Sequence, residues 1–148
     1  MKAQLKTDSD DLQTFEIEEN IYYVKPYEGW AGYFVSTCGH VISTKGPRLM
    51  VLKQHNHRGY AKVRLSRPGT KILNVKVHRM VAQTFLEIPS RDRVGTYRDQ
   101  VNHLDGDKWN NKVANLEWCS RPENLSHYRL LKAVMDFKRG ESANDGKS

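Results

Sequence analysis

Apolar and polar residues alternate in short runs between residues 21 and 77, and this period of two is typical of strands with one buried face. The run at residues 60–66 is the clearest, because apolar side chains there alternate with lysine, arginine and serine. Turns rich in glycine separate the runs, as they do between short antiparallel strands. We predict strands in IYYVKPY (21–27), YFVST (33–37), HVIST (40–44), MVLKQ (50–54), YAKVRLS (60–66) and KILNVKV (71–77).

Three turns predict how these strands connect. Cys38 and Gly39 are placed to turn the chain between the second and third strands. The polar segment HNHRG at residues 55–59 is predicted to be the turn of a hairpin between MVLKQ and YAKVRLS. The segment RPGT at residues 67–70 then leads into the last strand.

The hydrophobic period lengthens after residue 76. Apolar positions in Val77–Leu86 recur as they do along one face of a helix of about ten residues. The segment Ile88-Pro89-Ser90 is predicted to end this helix, because proline cannot continue it. A polar connector at residues 90–99 follows.

Residues 100–138 predict a strand, a loop, a second strand and a helix. QVNHL (100–104) and LEWCS (116–120) are the strands, and the loop between them is DGDKWNNKVAN. Ser120, with a glutamate three residues later, forms a capping box that starts the helix. We expect the helix to bury Leu125, Tyr128, Leu130 and Leu131.

Basic residues dominate the middle of the chain. No Asp or Glu lies between Glu28 and Glu87, although ordinary surfaces mix both signs of charge. The whole chain carries a formal net charge of +7 at pH 7, which favours a polyanionic partner. A solvated sheet face is the alternative explanation, but a ribbon with basic residues outside suits the groove and phosphates of double-stranded DNA. The candidate DNA-binding residues are Arg48, Lys53, Arg58, Lys62, Arg64, Arg67, Lys71, Lys76, Arg79 and Arg121.

Length and composition bound the class of protein. With 148 residues, 38% of them hydrophobic, the chain is large enough for one domain with a modest core. It has no run of roughly eighteen apolar residues and no apolar segment near its start, so we expect neither a membrane span nor a secretory signal. Cys38 and Cys119 lie too far apart for a zinc-ligand spacing. We therefore expect a soluble, intracellular protein.

The C-terminal unit concentrates the groups suited to chemistry. A strand–loop–strand–helix arrangement brings the end of the first strand beside the first helical turn, and so Asn102 and His103 beside Asn124. Phosphodiester hydrolysis needs a base near the attacking water, a cation on the leaving oxygen and a group that positions the phosphate. His103 can supply the base, Asn102 and Asn124 can hold a cation, and the helix N-terminus with Arg121 can position the phosphate.

The same unit resembles the HNH nucleases, in particular the homing endonucleases encoded by phages and introns. The motif histidine is His103, and the asparagines at the other two motif positions, Asn115 and Asn124, lie twelve and twenty-one residues after it. The matching strings are VNHLDG at 101–106, NN at 110–111, NLEW at 115–118 and PEN at 122–124. Upstream, VHRMVA at 77–82 resembles the helix that precedes this unit in the family, and GYFVS with GHV at 32–41 resembles a small β motif often fused ahead of it.

The resemblance implies a role for each motif position. His103 is expected to be the general base, and Asn115 to brace the loop and orient that base. Asn124 and Asn102 are expected to hold the metal, with His127 as a further candidate ligand. Many relatives carry Asp where this chain has Asn102, and a neutral amide binds a hard cation more weakly than a carboxylate does. The expected cofactor is a divalent metal, Mg²⁺ first, with Mn²⁺, Ni²⁺ and Zn²⁺ as alternatives.

These inferences combine into an α+β fold: a small N-terminal antiparallel β-sheet, a helix, and a C-terminal ββα-metal (HNH) unit. The expected divisions are a mobile acidic arm at 1–20 with a short helix at Leu12–Glu18, a β-rich DNA-binding region at 21–90, the nuclease unit at 91–138, and a disordered tail at 139–148.

The predicted function is a metal-dependent DNA endonuclease that nicks as a monomer, in the host cytoplasm if a phage encodes it. A protein partner is expected to supply specificity or a dimer for double-strand cleavage. The first alternative is a DNA-binding accessory protein with a degenerate HNH site. The second is a structural protein with a basic surface, which leaves the asparagine spacing unexplained.

Overall fold

The structure is a computed structural model that describes residues 12–87, 100–120, 126–127 and 129–136. These residues form an α+β fold in which three antiparallel sheets contact one central helix, α1, as the sequence predicts. The strands are β1 (Gln13–Ile17), β2 (Asn20–Pro26), β3 (Tyr33–Ser36), β4 (Val41–Ser43), β5 (Met50–Val51), β6 (His55–His57), β7 (Tyr60–Leu65), β8 (Leu73–Lys76), β9 (Gln100–His103) and β10 (Leu116–Cys119), and the helix is α1 (Val77–Phe85).

The N-terminal sheet begins earlier than the sequence analysis predicts. Residues 13–17 form a strand that pairs with β2, so the predicted helix at Leu12–Glu18 is wrong, and the acidic arm does not extend to residue 20. Glu18 and Glu19 both have positive φ angles, of 49° and 70°, as a tight two-residue hairpin turn requires. Phe15 packs edge-on against Phe34 of β3, with ring centroids 4.9 Å apart, which anchors the strand. Residues 1–11 lie outside the described part of the chain.

The predicted pairing around residues 50–65 is also wrong. MVLKQ does not pair with YAKVRLS; its first two residues form β5 at the edge of the five-stranded sheet, next to β4. The strand opposite β7 is β6, within the segment that was predicted to be a turn. The turn itself consists only of Arg58 and Gly59, both with positive φ, and the Gly59 amide donates to Asn56 Oδ1 at 2.8 Å. A two-residue turn of this kind matches the twist of its strands, so it excludes the longer loop.

Helix α1 follows β8 directly and lies at the centre of the core. Seven of its nine residues are buried, and the helix contacts β3, β7, β8, β9 and β10. A single hydrophobic cluster joins the sheets and the helix. Its members include Tyr33, Val35, Val63, Leu65, Met80, Val81, Phe85, Val101 and Leu116.

The C-terminal unit follows the predicted order. Strands β9 and β10 pair antiparallel, with His103 opposite Leu116 and Asn102 opposite Glu117. Residues 126–127 and 129–136 are helical, and Leu131 packs against Gly106 of the loop between the strands. Leu130 is 63% exposed, so the prediction that it is buried is wrong. The predictions for residues 88–99, 121–125 and 137–148, including the capping box, lie outside the described residues, as does the predicted burial of Tyr128.

Candidate active site

His103 is the last residue of β9, and its imidazole is buried against the loop that follows. Its side chain is 5% exposed, and Nε2 lies 2.7 Å from Oδ1 of Asn111. An amide oxygen can only accept, so in this arrangement Nε2 carries the proton and Nδ1 is the basic nitrogen. Asn111 is itself 3% exposed, so the hydrogen bond is shielded from water.

Burial lowers the pKa of His103, because the charged imidazolium is poorly solvated there. The hydrogen bond that His103 donates to Asn111 and the carboxylates of Asp105 and Asp107 act in the opposite direction but do not cancel this effect. His103 is therefore neutral near pH 7, which is the form that can accept a proton.

Two further rings line the site. His78 of α1 stacks on Tyr60 of β7 at a centroid distance of 4.9 Å, and its ring centroid is 5.1 Å from that of His103. Burial, followed by the charges of His103, Lys76 and Arg79, lowers the pKa of His78 to about 3. His78 is therefore neutral near pH 7, and its ring forms one side of the site. The sequence placed His78 in the helix VHRMVA as a helix or interface residue, and it assigned no role to Tyr60, because only the folded chain brings these two rings to His103.

The loop after β9 is organised by Asp105. Its carboxylate accepts hydrogen bonds from the Asp107 amide at 2.8 Å, from Asn110 Nδ2 at 2.7 Å and from Asn115 Nδ2 at 2.8 Å. Desolvation acts to raise the pKa of Asp105, but these hydrogen bonds outweigh it and hold the pKa below its ordinary value. The carboxylate therefore stays ionised and keeps the loop closed.

Asn115, the middle asparagine of the motif, lies entirely within this loop network. Its Oδ1 accepts from the Asp105 amide at 3.1 Å, and its Nδ2 also donates to the Asn110 carbonyl at 2.9 Å. These contacts match the expected loop-bracing role. The His103 ring donates its hydrogen bond to Asn111 instead, a residue to which the sequence assigned no such role.

Asn102 lies next to His103 on β9 and is 5% exposed. Its Nδ2 donates to Oε1 of Glu117 at 3.1 Å, so the amide presents Oδ1 on its other side. An amide oxygen is a suitable ligand for a hard divalent cation. Among the described residues, no three His, Cys, Asp or Glu side chains are grouped as a metal site.

The remaining candidate ligands are only partly described. Nε2 of His127 lies 3.0 Å from the carbonyl oxygen of Leu104 and therefore carries its proton, which leaves Nδ1 as the nitrogen able to ligate. Asn124 and Arg121 lie outside the described residues.

The outer face of the sheet β6–β7–β8 is basic. Lys62 lies directly opposite Lys76 and also opposite His55, and the next outward residue of β7 is Arg64. The inner face of β7 is apolar, as the alternation predicts: Ala61, Val63 and Leu65 are fully buried. Like charges placed opposite each other destabilise a sheet, so the pair Lys62 and Lys76 suits an anionic partner.

The other described candidates for DNA contact differ in their exposure to solvent and in the contacts that their side chains make. Arg48, Lys53, Arg58 and Lys71 are exposed. Arg67 donates to the Gly29 carbonyl at 2.7 Å and lies 4.0 Å from the Trp30 ring centroid, so its guanidinium also holds its turn against the N-terminal sheet. Arg79 lies 5.8 Å from the Trp118 ring centroid.

Lys108 joins the basic sheet to the loop of the C-terminal unit. Its ammonium is 4.7 Å from the centroid of Tyr60, and that of Lys76 is 4.9 Å from the same ring. Two cations are thus held at one ring that lies 6.2 Å from the ring of His103. Lys108 could not be found from the sequence, because only the folded chain brings the loop against β7.

Two family profiles match the chain. The profile described as HNH endonuclease matches residues 75–126, and the NUMOD4 motif matches residues 25–66. The HNH match includes α1 as well as β9 and β10.

Relatives with the same domain come from viruses and bacteria. The uncharacterized HNH endonuclease L247 of Acanthamoeba polyphaga mimivirus is 35% identical over 69% of this chain and 24% of its own length. The putative HNH homing endonuclease YosQ, from the SPbeta prophage of Bacillus subtilis, is 35% identical over 76% of this chain and 60% of its own. The DNA endonuclease I-HmuI of Bacillus phage SP01 is 35% identical over 80% of this chain and 62% of its own.

A solved structure agrees with these matches. A structure that shows DNA binding and cleavage by the HNH homing endonuclease I-HmuI superposes with a TM-score of 0.57 and 30% identity, over 78% of this chain and 66% of that one. The present chain thus spans between about a quarter and two thirds of the length of these proteins. Within the described residues, no helix is long and apolar enough to span a bilayer.

Proposed function

We propose that this chain, which belongs to the HNH endonuclease family, hydrolyses phosphodiester bonds in double-stranded DNA with the help of a divalent cation. The observation that carries the proposal is the state of His103. Its imidazole is buried and neutral, and Asn111 holds it with Nδ1 as the basic nitrogen. A base of this kind, beside an amide oxygen that suits a hard cation, is what hydrolysis of a phosphodiester requires.

In the proposed reaction, His103 takes a proton from the attacking water through Nδ1. Asn111 keeps the ring in place and stabilises the imidazolium through Nε2. Asn102, Asn124 and, as a further ligand, His127 would hold the cation, for which Mg²⁺ is the first candidate and Mn²⁺, Ni²⁺ and Zn²⁺ are alternatives. When bound, the cation neutralises charge on the phosphate and on the leaving oxygen. Asn115 acts through the loop, because its hydrogen bonds fix the segment that carries Asn111.

The basic sheet β6–β7–β8 is the proposed contact with the DNA backbone. Lys62 and Lys76 lie on its outer face, and Lys108 extends the positive charge from that face to the neighbourhood of His103. A duplex that rests on this face therefore brings a phosphate close to the base. The region at 21–90 would hold the DNA, and the unit at 91–138 would cut it.

One site per chain is expected to cut one strand, so we propose that a monomer nicks its substrate. Cleavage of both strands would need a dimer or a second site on the other strand. We also propose that a protein partner adds specificity, because contacts between lysine or arginine side chains and phosphates carry no sequence information.

Replacing His103 by Ala tests the activity. We expect nicking of supercoiled plasmid in Mg²⁺ to fall by about 10²–10⁴-fold, the usual contribution of a positioned base, while DNA binding is retained. A control is Asn20→Ala, because Asn20 is an exposed polar residue of the β1–β2 hairpin, outside the sheet that is proposed to contact DNA. Cleavage by His103→Ala at the unaltered rate would contradict the proposal.

A second candidate function is DNA binding without cleavage. The neutral amide of Asn102 favours it, because a carboxylate at that position would bind a hard cation more tightly. Such a protein would bind DNA equally well in EDTA and would produce no nick with Mg²⁺, Mn²⁺, Ni²⁺ or Zn²⁺. A nick with any of these cations that His103→Ala abolishes rules this candidate out.

A further inference from the structure

Glu117 of β10 lies directly opposite Asn102 of β9, and the two side chains are hydrogen bonded. Oε1 of Glu117 accepts from Nδ2 of Asn102 at 3.1 Å. Asn102 is 5% exposed and Glu117 is half-buried, so this hydrogen bond lies at the margin of the core. A hydrogen bond to an ionised acceptor in such surroundings is stronger than one between neutral groups.

This hydrogen bond determines which atom of Asn102 is available to a ligand. The amide nitrogen is held by the carboxylate, so the side chain cannot rotate to exchange its nitrogen and oxygen without losing that contact. Oδ1 is thereby kept on the side away from Glu117. A carboxylate that accepts from the amide N–H also draws electron density toward Oδ1, which makes that oxygen a better ligand.

Glu117 also brings negative charge to a chain in which positive charge predominates. The chain as a whole has a net charge of +7, and no acid occurs between Glu28 and Glu87. The hydrogen bond to Asn102 is the contact that the Glu117 carboxylate makes among the described residues. A cation on Oδ1 of Asn102 would lie across the amide group from this carboxylate, and at the margin of the core the attraction between the two charges is weakly screened.

We propose that Glu117 is the positioning residue of the metal site: it orients the Asn102 amide and supplies the negative charge that this amide lacks as a ligand. Asn102 supplies the ligand oxygen and Glu117 the negative charge, which a single carboxylate ligand would combine. This inference rests on the proposed metal-dependent function. In metal sites generally, the loss of such an outer partner lowers metal affinity by about 10–100-fold.

The substitution Glu117→Gln separates charge from hydrogen bonding, because glutamine keeps an oxygen that can accept from Asn102. We expect the dissociation constant for Mn²⁺ alone, measured from the free-ion signal in electron paramagnetic resonance, to rise by about 10–100-fold. The melting temperature in EDTA should match that of the unaltered chain, since the fold keeps the hydrogen bond. Glu28→Gln removes the same charge from an exposed turn remote from Asn102 and should leave Mn²⁺ binding unchanged.

A second variant tests the role of the charge directly. In Asn102→Asp/Glu117→Gln the donor and the acceptor of the hydrogen bond are exchanged, and one carboxylate remains at the site. We expect Mn²⁺ affinity and nicking to recover most of the loss caused by Glu117→Gln. A purely structural role of Glu117 would change the melting temperature in EDTA and would not be corrected by a carboxylate at residue 102.

The outcomes separate this inference from the proposed function. If the unaltered chain binds Mn²⁺ and Glu117→Gln binds it equally well, the inference is wrong and the proposed function stands. Failure of the exchanged pair to recover binding also contradicts the inference. If the unaltered chain neither binds Mn²⁺ nor nicks DNA with any divalent cation, the proposed function is wrong, and the inference with it.

Discussion

At the scale of single residues, His103 and His78 both lie beside the ring of Tyr60 but have different roles. His103 has a hydrogen-bond partner that selects its basic nitrogen, whereas Nδ1 of His78 is buried without a partner among the described residues. Both have lowered pKa values, and burial is the main cause in each case. The partner, Asn111, is therefore what distinguishes a candidate base from a packing residue.

Replacing Asn111 by Ala should lower cleavage by roughly 10–100-fold, the range seen when a group that orients a functional side chain is lost. The ring of His103 would lose the acceptor that keeps the proton on Nε2. Single-turnover nicking of plasmid measures the effect, with Asn20→Ala in the β1–β2 hairpin as a remote control. Equal rates for the two variants would show that Asn111 does not act on the base.

The lowered pKa of His78 predicts that the stability of the fold depends on pH. Its pKa is about 3 in the folded chain and near 6.5 when unfolded, so between these values the unfolded state binds more protons. The contribution is fully present above pH 6.5 and is lost as the pH falls toward 3. In the unaltered chain, protonation of His78 should lower the free energy of unfolding by about 2 kcal/mol between pH 7 and pH 5. The variant His78→Phe should lack this part of the decrease, and unfolding with urea at both pH values measures it. A pH dependence that is the same in His78→Phe would contradict the pKa assigned to His78.

At the scale of elements, the turn between β3 and β4 helps to position the candidate base. A Cβ on Gly39 would lie 2.8 Å from the carbonyl oxygen of Asn111, and the Val113 amide donates to the Thr37 carbonyl at 2.9 Å. Gly39 has a φ of 89°, so the turn requires glycine for its conformation as well as for this close approach. The N-terminal sheet therefore supports the loop that carries Asn111.

The sheet β6–β7–β8 predicts how DNA binding responds to salt. In the double variant Lys62→Ala/Lys76→Ala, the slope of log affinity against log salt concentration should fall by about 1.8, because each phosphate contact contributes about 0.9. The loss should be similar for unrelated DNA sequences, and fluorescence anisotropy at several salt concentrations measures it. The free energy of unfolding should change little, because the relief of repulsion between the opposed lysines offsets the loss of the contact between Lys76 and the Tyr60 ring.

The control for this experiment is Lys132→Ala, which removes a charge from an exposed position of the C-terminal helix. It should change the slope by much less than either lysine of the sheet. A double variant with an unaltered slope would mean that DNA does not contact this face.

At the scale of the whole molecule, the described parts of the region at 21–90, proposed to hold DNA, and of the unit at 91–138, proposed to cut it, share one core. The hydrophobic cluster runs from Tyr33 in the N-terminal sheet through Met80 of α1 to Leu116 of β10. Tyr33 and Tyr27 add hydrogen bonds from the N-terminal sheet to Ser66 and Gln83. The basic face is therefore held in a fixed position relative to His103, which a flexible linker would not provide.

The sequence predicted the elements that depend on local pattern. The alternation in YAKVRLS identified which side chains of β7 are buried, and the change of period located α1 almost to the residue. The family resemblance rested on the spacing of His103 and the asparagines, and it led to the correct α+β fold and family. These features could be predicted because each depends on residues that lie close together in the sequence.

The partners of the strands and of the site residues were decided only by the tertiary structure. The pairing of β5 with β4 and of β6 with β7 depends on long-range packing and on a two-residue turn, so a plausible local hairpin was the wrong choice. Lys108, Tyr60 and His78 meet at His103 from three separate parts of the chain. The asparagine whose hydrogen bond holds the base is Asn111 and not Asn115, and the partner of Asn102 is Glu117 on the opposite strand. A motif specifies which residue types are present, whereas the hydrogen bond each one makes follows from how the strands and loops pack.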